Sequence, residues 1–479
     1  MTTVDRDGPA AAPATGPARR RLAFAALFAT QLVVMVEGTI VNVSLTVIRD
    51  VYGLAEEQLS WVFIGFAIGF GAVMLVGGRL SDAIGARRAL VGAVALFAAA
   101  SLLCGLAGGP WTLLTGRVLQ GVGGAAAIPA VLATVADLSP DPAARRRAVA
   151  TLMASSLVGA GLGLTAGGLV AELMGARWVF LINVPLCLLL LPCLWALPER
   201  PADRAATGPL ATGQAFLLTT SLAALLLGLT LITAARLPGA AVLTLGVVGA
   251  ALTVRATRRA GDRALVPVSL LADRGRRAGY LVVAVTAGGS HAAFYHLQLM
   301  VQRDFGLGPA ATGLWFTPVI LAMIGATVLS GRLLRRLPDR TVVVAGCLVS
   351  TAGLVWVAVD GGASGPHPLL VVPMAMLAAG SALCIVPLSV RAVAGVPPGR
   401  TGVASAVLTS SQQVGGAALL SGTTLLAAAL AGVPARTTAV VALALVTAFA
   451  AVVALRGLAP PDPAPPPEPP PPPLPGGHP

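Results

Sequence analysis

The chain has 479 residues, 56% of them hydrophobic and only 11% charged, with a mean hydropathy of +0.86. A soluble protein carries about a quarter charged residues, so the composition excludes an ordinary water-soluble domain and indicates an all-α integral membrane protein. The net charge of +13 comes from 32 basic residues, all Arg, that lie between apolar runs rather than in one patch, which argues against a nucleic-acid partner.

Residues 1–21 read as a disordered tail ending in "ARRR". The apolar run 22–48 is far longer than the core of a cleaved signal peptide and has no suitably placed cleavage site, so it reads as an uncleaved first helix. Runs of spanning length follow near 58–79, 88–108, 110–136, 147–171 and 178–197. A polar link covers 199–210. Two more runs, 211–234 and 237–255, precede an Arg-rich loop over 257–278. Six further runs lie near 279–301, 313–334, 341–359, 368–390, 402–431 and 435–457. The Pro-dense stretch 459–479 reads as a disordered or polyproline-II tail. The total is about fourteen spans.

Arg clusters at 19–21, 86–88, 145–147, 255–263, 273–277 and 335–340 alternate with loops holding only isolated Arg. The positive-inside rule puts the rich set, and with an even helix count both termini, in the cytoplasm. A weak internal repeat is also present. "GRLSDAIGAR" (78–87) matches "GRLLRRLPDR" (331–340), "VATLMASS" (149–156) matches "VASAVLTS" (403–410), and "GGA" with Pro129 matches "GSA" with Pro387. Three matches in one order at nearly one offset predict two six-helix bundles, 22–198 and 279–458, with two extra helices over 211–256. Such repeats accompany transporters that bind substrate near the midplane, between the halves.

The rare polar groups at membrane depth carry the chemistry. Glu37 lies in the first run and Arg117 in the fourth. At 1.5 Å per residue both sit roughly 10–15 Å below the same end of their helices, close enough in depth to pair. Ionisable groups there are costly and functional by default; the alternative is a pair that only orients helices. The second repeat lacks both charges, which confines proton chemistry to the first half. In "GGRLSDAIGARR" (77–88), Gly78 and Gly85 permit close approach and a tight turn, and Asp82 can accept from a helix N-terminus or an Arg. That suits a contact that forms and breaks, though a solvated turn would look the same. Gly159, Gly163, Gly167 and Gly168 let helices approach and slide, or simply pack. His291, Tyr295 and Gln298 share one helix face, with His296 turned away; they form a candidate pocket lining with Asn42 and Gln120, or hydrogen bonds to neighbouring helices. The five Cys residues are odd in number and show no CxxC spacing, so neither a disulfide framework nor a metal site is implied. No HExxH, GxSxG or P-loop occurs, and an enzyme is not expected.

Taken in order, these segments resemble the major facilitator superfamily, most of all its fourteen-helix drug:proton antiporters, over nearly the whole chain except the tails. "EGTIVNVSL" is similar to the family's first-helix motif, with Glu37 where Asp is usual. "GGRLSDAIGARR" resembles the superfamily's loop motif, keeping Asp82 and Arg87 but with Ala83 and Ala86 where basic residues are common. "RVLQGVGGA" resembles the fourth-helix motif, whose Arg, here Arg117, is implicated in proton transfer. "GAGLGLTAGG" resembles the antiporter motif, with Leu164 replacing its usual Pro, and "WVFLINVP" is similar to the opening of the family's sixth helix. The resemblance implies a monomer in the plasma membrane, without cofactors, that exports a small lipophilic or cationic compound such as an antibiotic in exchange for protons. A proton-coupled importer or facilitator of a metabolite would share the fold, and a non-transporting membrane sensor is a further alternative.

Overall fold

The computed structural model describes residues 17–55, 58–139, 141–198, 209–261, 264–360, 370–396, 401–430 and 435–458, and among them there is no strand. The first half holds α1 (Pro17–Ile40), a 3-10 turn (Asn42–Ser44), α2 (Leu45–Tyr52), α3 (Leu59–Ile84), α4 (Ala86–Gly105), α5 (Pro110–Asp137), α6 (Pro142–Leu173), α7 (Trp178–Leu181) and α8 (Asn183–Trp195). The hairpin α9 (Pro209–Ala234) and α10 (Arg236–Ala260) follows, then the short α11 (Val268–Ala272). The second half holds α12 (Arg274–Leu299), a π-helical turn (Met300–Asp304), α13 (Pro309–Trp315), α14 (Thr317–Leu333), α15 (Asp339–Asp360), α16 (Val371–Val393), α17 (Thr401–Ala429) and α18 (Ala435–Gly457).

Each apolar run read from the sequence falls on one of these helices or on a broken pair. Among the described residues ten helices are long and apolar enough to cross a membrane, against the fourteen spans expected. The runs near 279–301 and 402–431 fall short because α12 and α17 carry Arg, His, Gln, Ser and Thr, which lower their hydropathy. Helices α3 and α9 carry shorter apolar stretches among the described residues, Leu59–Gly71 and Gly213–Leu229.

Several boundaries differ from expectation. The first helix already includes Pro17, inside the stretch read as a tail, and Arg19 Nη2 donates to Ala196 O at 2.8 Å. The first run breaks at the 3-10 turn, and the sixth at Ile182. Helices α10 and α12 take up both ends of the expected 257–278 loop; Asp273 caps α12 by accepting from Arg276 N at 2.5 Å. Residues 1–16, the 199–208 part of the link and the 459–479 tail lie outside the described residues.

The two halves pack alike. Helix α1 lies on α6 as α12 lies on α17; α3 and α4 lie on α5 as α14 and α15 lie on α16; and α8 packs on α4 as α18 packs on α15. Without a hydrophobic driving force inside lipid, such contacts rest on close packing and interhelical hydrogen bonds. At the end away from the Arg clusters one buried cluster joins both halves, with Ile48, Tyr52 and Phe180 from the first and Leu297, Val301 and Phe316 from the second. Toward the Arg-rich end the buried clusters are separate, one centred in the first half and two in the second. The α9–α10 hairpin packs on itself, and α9 touches both α3 and α17.

Candidate functional site

The site is set by the crossing of α3 and α5. A Cβ added at Gly121 would lie 2.7 Å from Phe70 N, and one at Gly69 would lie 2.9 Å from Val122 N, so the two backbones nearly touch. That approach presses Arg117 of α5 against α3. Its Nε donates to Val62 O at 2.9 Å, and its guanidinium lies 4.8 Å from the centre of the Phe66 ring and 5.8 Å from that of Phe180. Arg117 is 1% exposed and Glu37 is fully buried.

Arg117 Nη1 donates to Glu37 Oε1 and, at 2.9 Å, to Gln120 Oε1. The second carboxylate oxygen accepts from Asn183 Nδ2 at 2.5 Å. Gln120 Nε2 continues the network to Ser101 Oγ at 2.9 Å. Helices α8, α1, α5 and α4 are thus tied by one polar chain: Asn183, Glu37, Arg117, Gln120, Ser101. A buried charge pair persists only when its remaining donors and acceptors are also satisfied, and here both carboxylate oxygens are. The aromatic walls and the shared cluster close the site from the end away from the Arg loops.

The pairing of Glu37 with Arg117 expected from their depths is present. Asn183 and the Val62 carbonyl are additions. Asn183 was legible as the one amide in "WVFLINVP", but its partner depends on the break between α7 and α8. Gln120, read as pocket lining, instead belongs to the charge network, because the α4–α5 contact brings Ser101 to its amide. Asn42 sits buried in the 3-10 turn. His291 meets the Phe63 ring of α3 at 6.1 Å, which puts it at the seam between halves; Tyr295 and Gln298 are buried on the same helix. His296 turns away to Thr423 Oγ1 at 3.1 Å.

Gly85 has φ +91, a conformation that favours glycine, and it both ends α3 and begins α4. Arg87 Nη1 donates to Trp195 O and Leu197 O at 3.2 and 3.3 Å, so it fastens the end of α8. Asp82 and Gly78 lie in α3, and their side-chain surroundings fall outside the described residues. In the glycine stripe, an added Cβ would lie 2.8 Å from Leu32 O at Gly159, 2.5 Å from Val36 O at Gly163 and 2.6 Å from Ile40 Cγ1 at Gly167, all on α1. Gly168 faces Pro309 and Ala310 of the other half instead.

The halves are also latched by groups the sequence reading missed. Gln302 Nε2 donates to Val43 O at 2.7 Å, Gln302 Oε1 accepts from Thr46 Oγ1 at 3.0 Å, and Ala310 N donates to Glu172 Oε2 at 3.0 Å. Gln302 follows Gln298 by one helical turn, a signal within reach.

The sequence model of the Major Facilitator Superfamily matches residues 27–420 and 281–476. The puromycin resistance protein pur8 of Streptomyces alboniger is 33% identical over 408 residues, covering 83% of this chain and 80% of that protein. The lincomycin resistance protein of Streptomyces lincolnensis is 32% identical over 318 residues, 66% of each chain. Among solved structures, the POT family transporter PepTSo superposes with a TM-score of 0.68 at 15% identity, covering 92% of this chain and 98% of that one. The D-xylose–proton symporter superposes with a TM-score of 0.64 at 14% identity over 92% and 98%. The chain therefore belongs to the major facilitator superfamily, a multi-pass membrane transporter rather than an enzyme.

Proposed function

We propose that this transporter exports a small lipophilic or cationic compound, of the antibiotic class, in exchange for protons, by alternating access in the plasma membrane. The reading takes the chain as a monomer of fourteen spans: a bundle over 22–198, two extra helices over 211–256 and a second bundle over 279–458, with both termini and the Arg-rich loops cytoplasmic. The observation that carries it is the fully buried Glu37, with Arg117 on one oxygen and Asn183 on the other. Burial penalises an isolated charge, and the guanidinium compensates it. A movement that separates the two favours a bound proton, and one that reunites them favours its release. The relatives' names, puromycin and lincomycin resistance, support the substrate class.

Glu37 and Arg117 act as the proton-coupling pair in this reading. Asp82 and Gly78 at the end of α3, with Gly85 and Arg87 at its junction with α4, form the gate that opens and closes on the cytoplasmic side; the glycine stripe at 159–168 lets α6 slide. His291, Tyr295, Gln298 and Asn42 are the polar candidates for contact with substrate at the seam.

The test is transport in vesicles. Purified protein in vesicles with an imposed pH gradient should move ethidium. Glu37→Gln keeps the shape and donor pattern of the protonated acid but releases no proton. It should lose gradient-driven transport and keep ethidium exchange. A well-folded Glu37→Gln protein that pumps at the wild-type rate would sink the proposal.

A further inference from the structure

A cavity of about 610 Å³ lies behind α17, away from Glu37, enclosed by α9, α10, the 264–272 segment, the start of α12 and α17. Its volume is within the roughly 300–1,000 Å³ of small-molecule sites. Its wall is two-toned. Leu218 and Leu222 of α9 and Val414 of α17 form an apolar depth, while Arg258 of α10 and Arg277 of α12 stand at the Arg-rich end. Both arginines are exposed, and neither has a carboxylate partner among the described residues.

Between the two zones Ser410 lines the cavity. It is 6% exposed, and its Oγ has no hydrogen-bond partner. Most membrane hydroxyls in this chain bond back to their own helix, as Ser411 does to Val407 O at 2.8 Å. A buried hydroxyl without a partner costs free energy, and an acceptor on an occupant would relieve it. The cavity is also held open from one side: Gln214 donates to Ala256 O at 3.3 Å and accepts from Leu265 N at 2.9 Å, which pins the 264–266 segment to the hairpin.

We propose that this cavity binds an anionic amphiphile, its acidic head between Arg258 and Arg277, an acceptor oxygen at Ser410 and its chain along α9 and α17. Basic pockets between helices at a cytoplasmic surface take anionic lipid heads on the same electrostatic grounds. A bilayer phospholipid and a freely diffusing lipophilic acid share this chemistry. Because α17 also packs on α3 across the seam, with a Cβ on Gly71 meeting Gln413 Cβ at 3.4 Å, an occupant would join the hairpin to a helix at the interface of the halves. The inference concerns binding alone and stands whether or not Glu37 carries a proton.

The experiment uses the full chain. Native mass spectrometry with added phosphatidylglycerol should show one retained lipid, with phosphatidylcholine retained at least tenfold less. Arg258→Gln/Arg277→Gln, two exposed positions, should cut phosphatidylglycerol retention at least tenfold, as should Ser410→Leu, which fills the cavity. A second arm measures radiolabelled myristate on protein in phosphatidylcholine nanodiscs. Retention of phosphatidylglycerol alone assigns the site to a bilayer lipid. Myristate alone assigns it to a diffusing acid, and competition between the two makes it a site for either. Equal retention of both lipids with no myristate binding, or variants that bind like the wild type, overturns the proposal.

Discussion

Asn183 takes the carboxylate oxygen of Glu37 that Arg117 leaves open, donating from Nδ2 to Oε2 at 2.5 Å. The amide reaches that oxygen because α8 starts at Asn183, immediately after the break that ends α7. A hydrogen bond to a charged group contributes about 1.5–3 kcal/mol. Asn183→Leu should therefore lower the unfolding temperature of the purified protein and slow proton-driven efflux. A variant matching the wild type in both measurements would make the amide a bystander.

The glycine stripe separates two roles that look alike in sequence. Gly163 packs on α1 within its own half, whereas Gly168 packs on Pro309 across the seam. Side chains forced into close contacts cost about 1–3 kcal/mol. Gly163→Val should reduce the amount of folded protein. Gly168→Val should leave that amount nearer normal and open the seam, seen as a longer distance between spin labels at Leu173 and Leu314, both exposed. An unchanged distance distribution would show that Gly168 does not hold the seam.

Gln302 bonds to both Val43 and Thr46, with its donor and its acceptor engaged at once. Gln302→Leu keeps the size of the side chain and removes both bonds. The same pair of spin labels should report a larger open population, and transport should slow as the closed state becomes harder to reach. An unaltered open fraction would count against the latch.

Apolar run length was enough to locate the long helices, because a span must satisfy its own backbone in lipid, but it missed the short α11 inside the expected 257–278 loop. It could not find the breaks at 41–44 and 182, since hydropathy is continuous through both. Depth counting was enough to match Glu37 with Arg117. It could not assign Gln120, whose amide suits a pocket or a network equally until α4 supplies Ser101. Nor could it show the Phe66 and Phe180 walls, which arise from the α3–α5 crossing and the α7 turn. Arg87 was read as part of a moving turn, yet it holds carbonyls at the end of α8, a contact between residues more than a hundred positions apart.

The Arg asymmetry predicts orientation. Reporter fusions after Arg147 should read as cytoplasmic, and those after Gly361 as external. Swapped signals would invert the topology. Asp82→Asn, in the turn-proximal end of α3, should impair efflux at matched expression while leaving insertion intact; full efflux would remove Asp82 from the gating role.

The Glu37–Arg117 pair admits a test that separates structure from coupling. Removing one member of a buried pair costs about 3–5 kcal/mol, because the other charge is left uncompensated, whereas replacing both is often neutral. Arg117→Met alone should therefore reduce folded protein, since Glu37 loses its cationic partner and keeps neutral amides such as Asn183. Glu37→Gln alone leaves Arg117 with Val62 O and Gln120 as acceptors, a milder loss. The double variant Glu37→Gln/Arg117→Met should recover much of the folded protein lost in Arg117→Met. If the pair only orients helices, recovered protein should also recover transport. If Glu37 carries the coupled proton, the double variant should be well folded and unable to build a substrate gradient from a pH gradient, while Glu37→Asp retains some pumping. Folded double variant that pumps near the wild-type rate would assign the pair to structure alone.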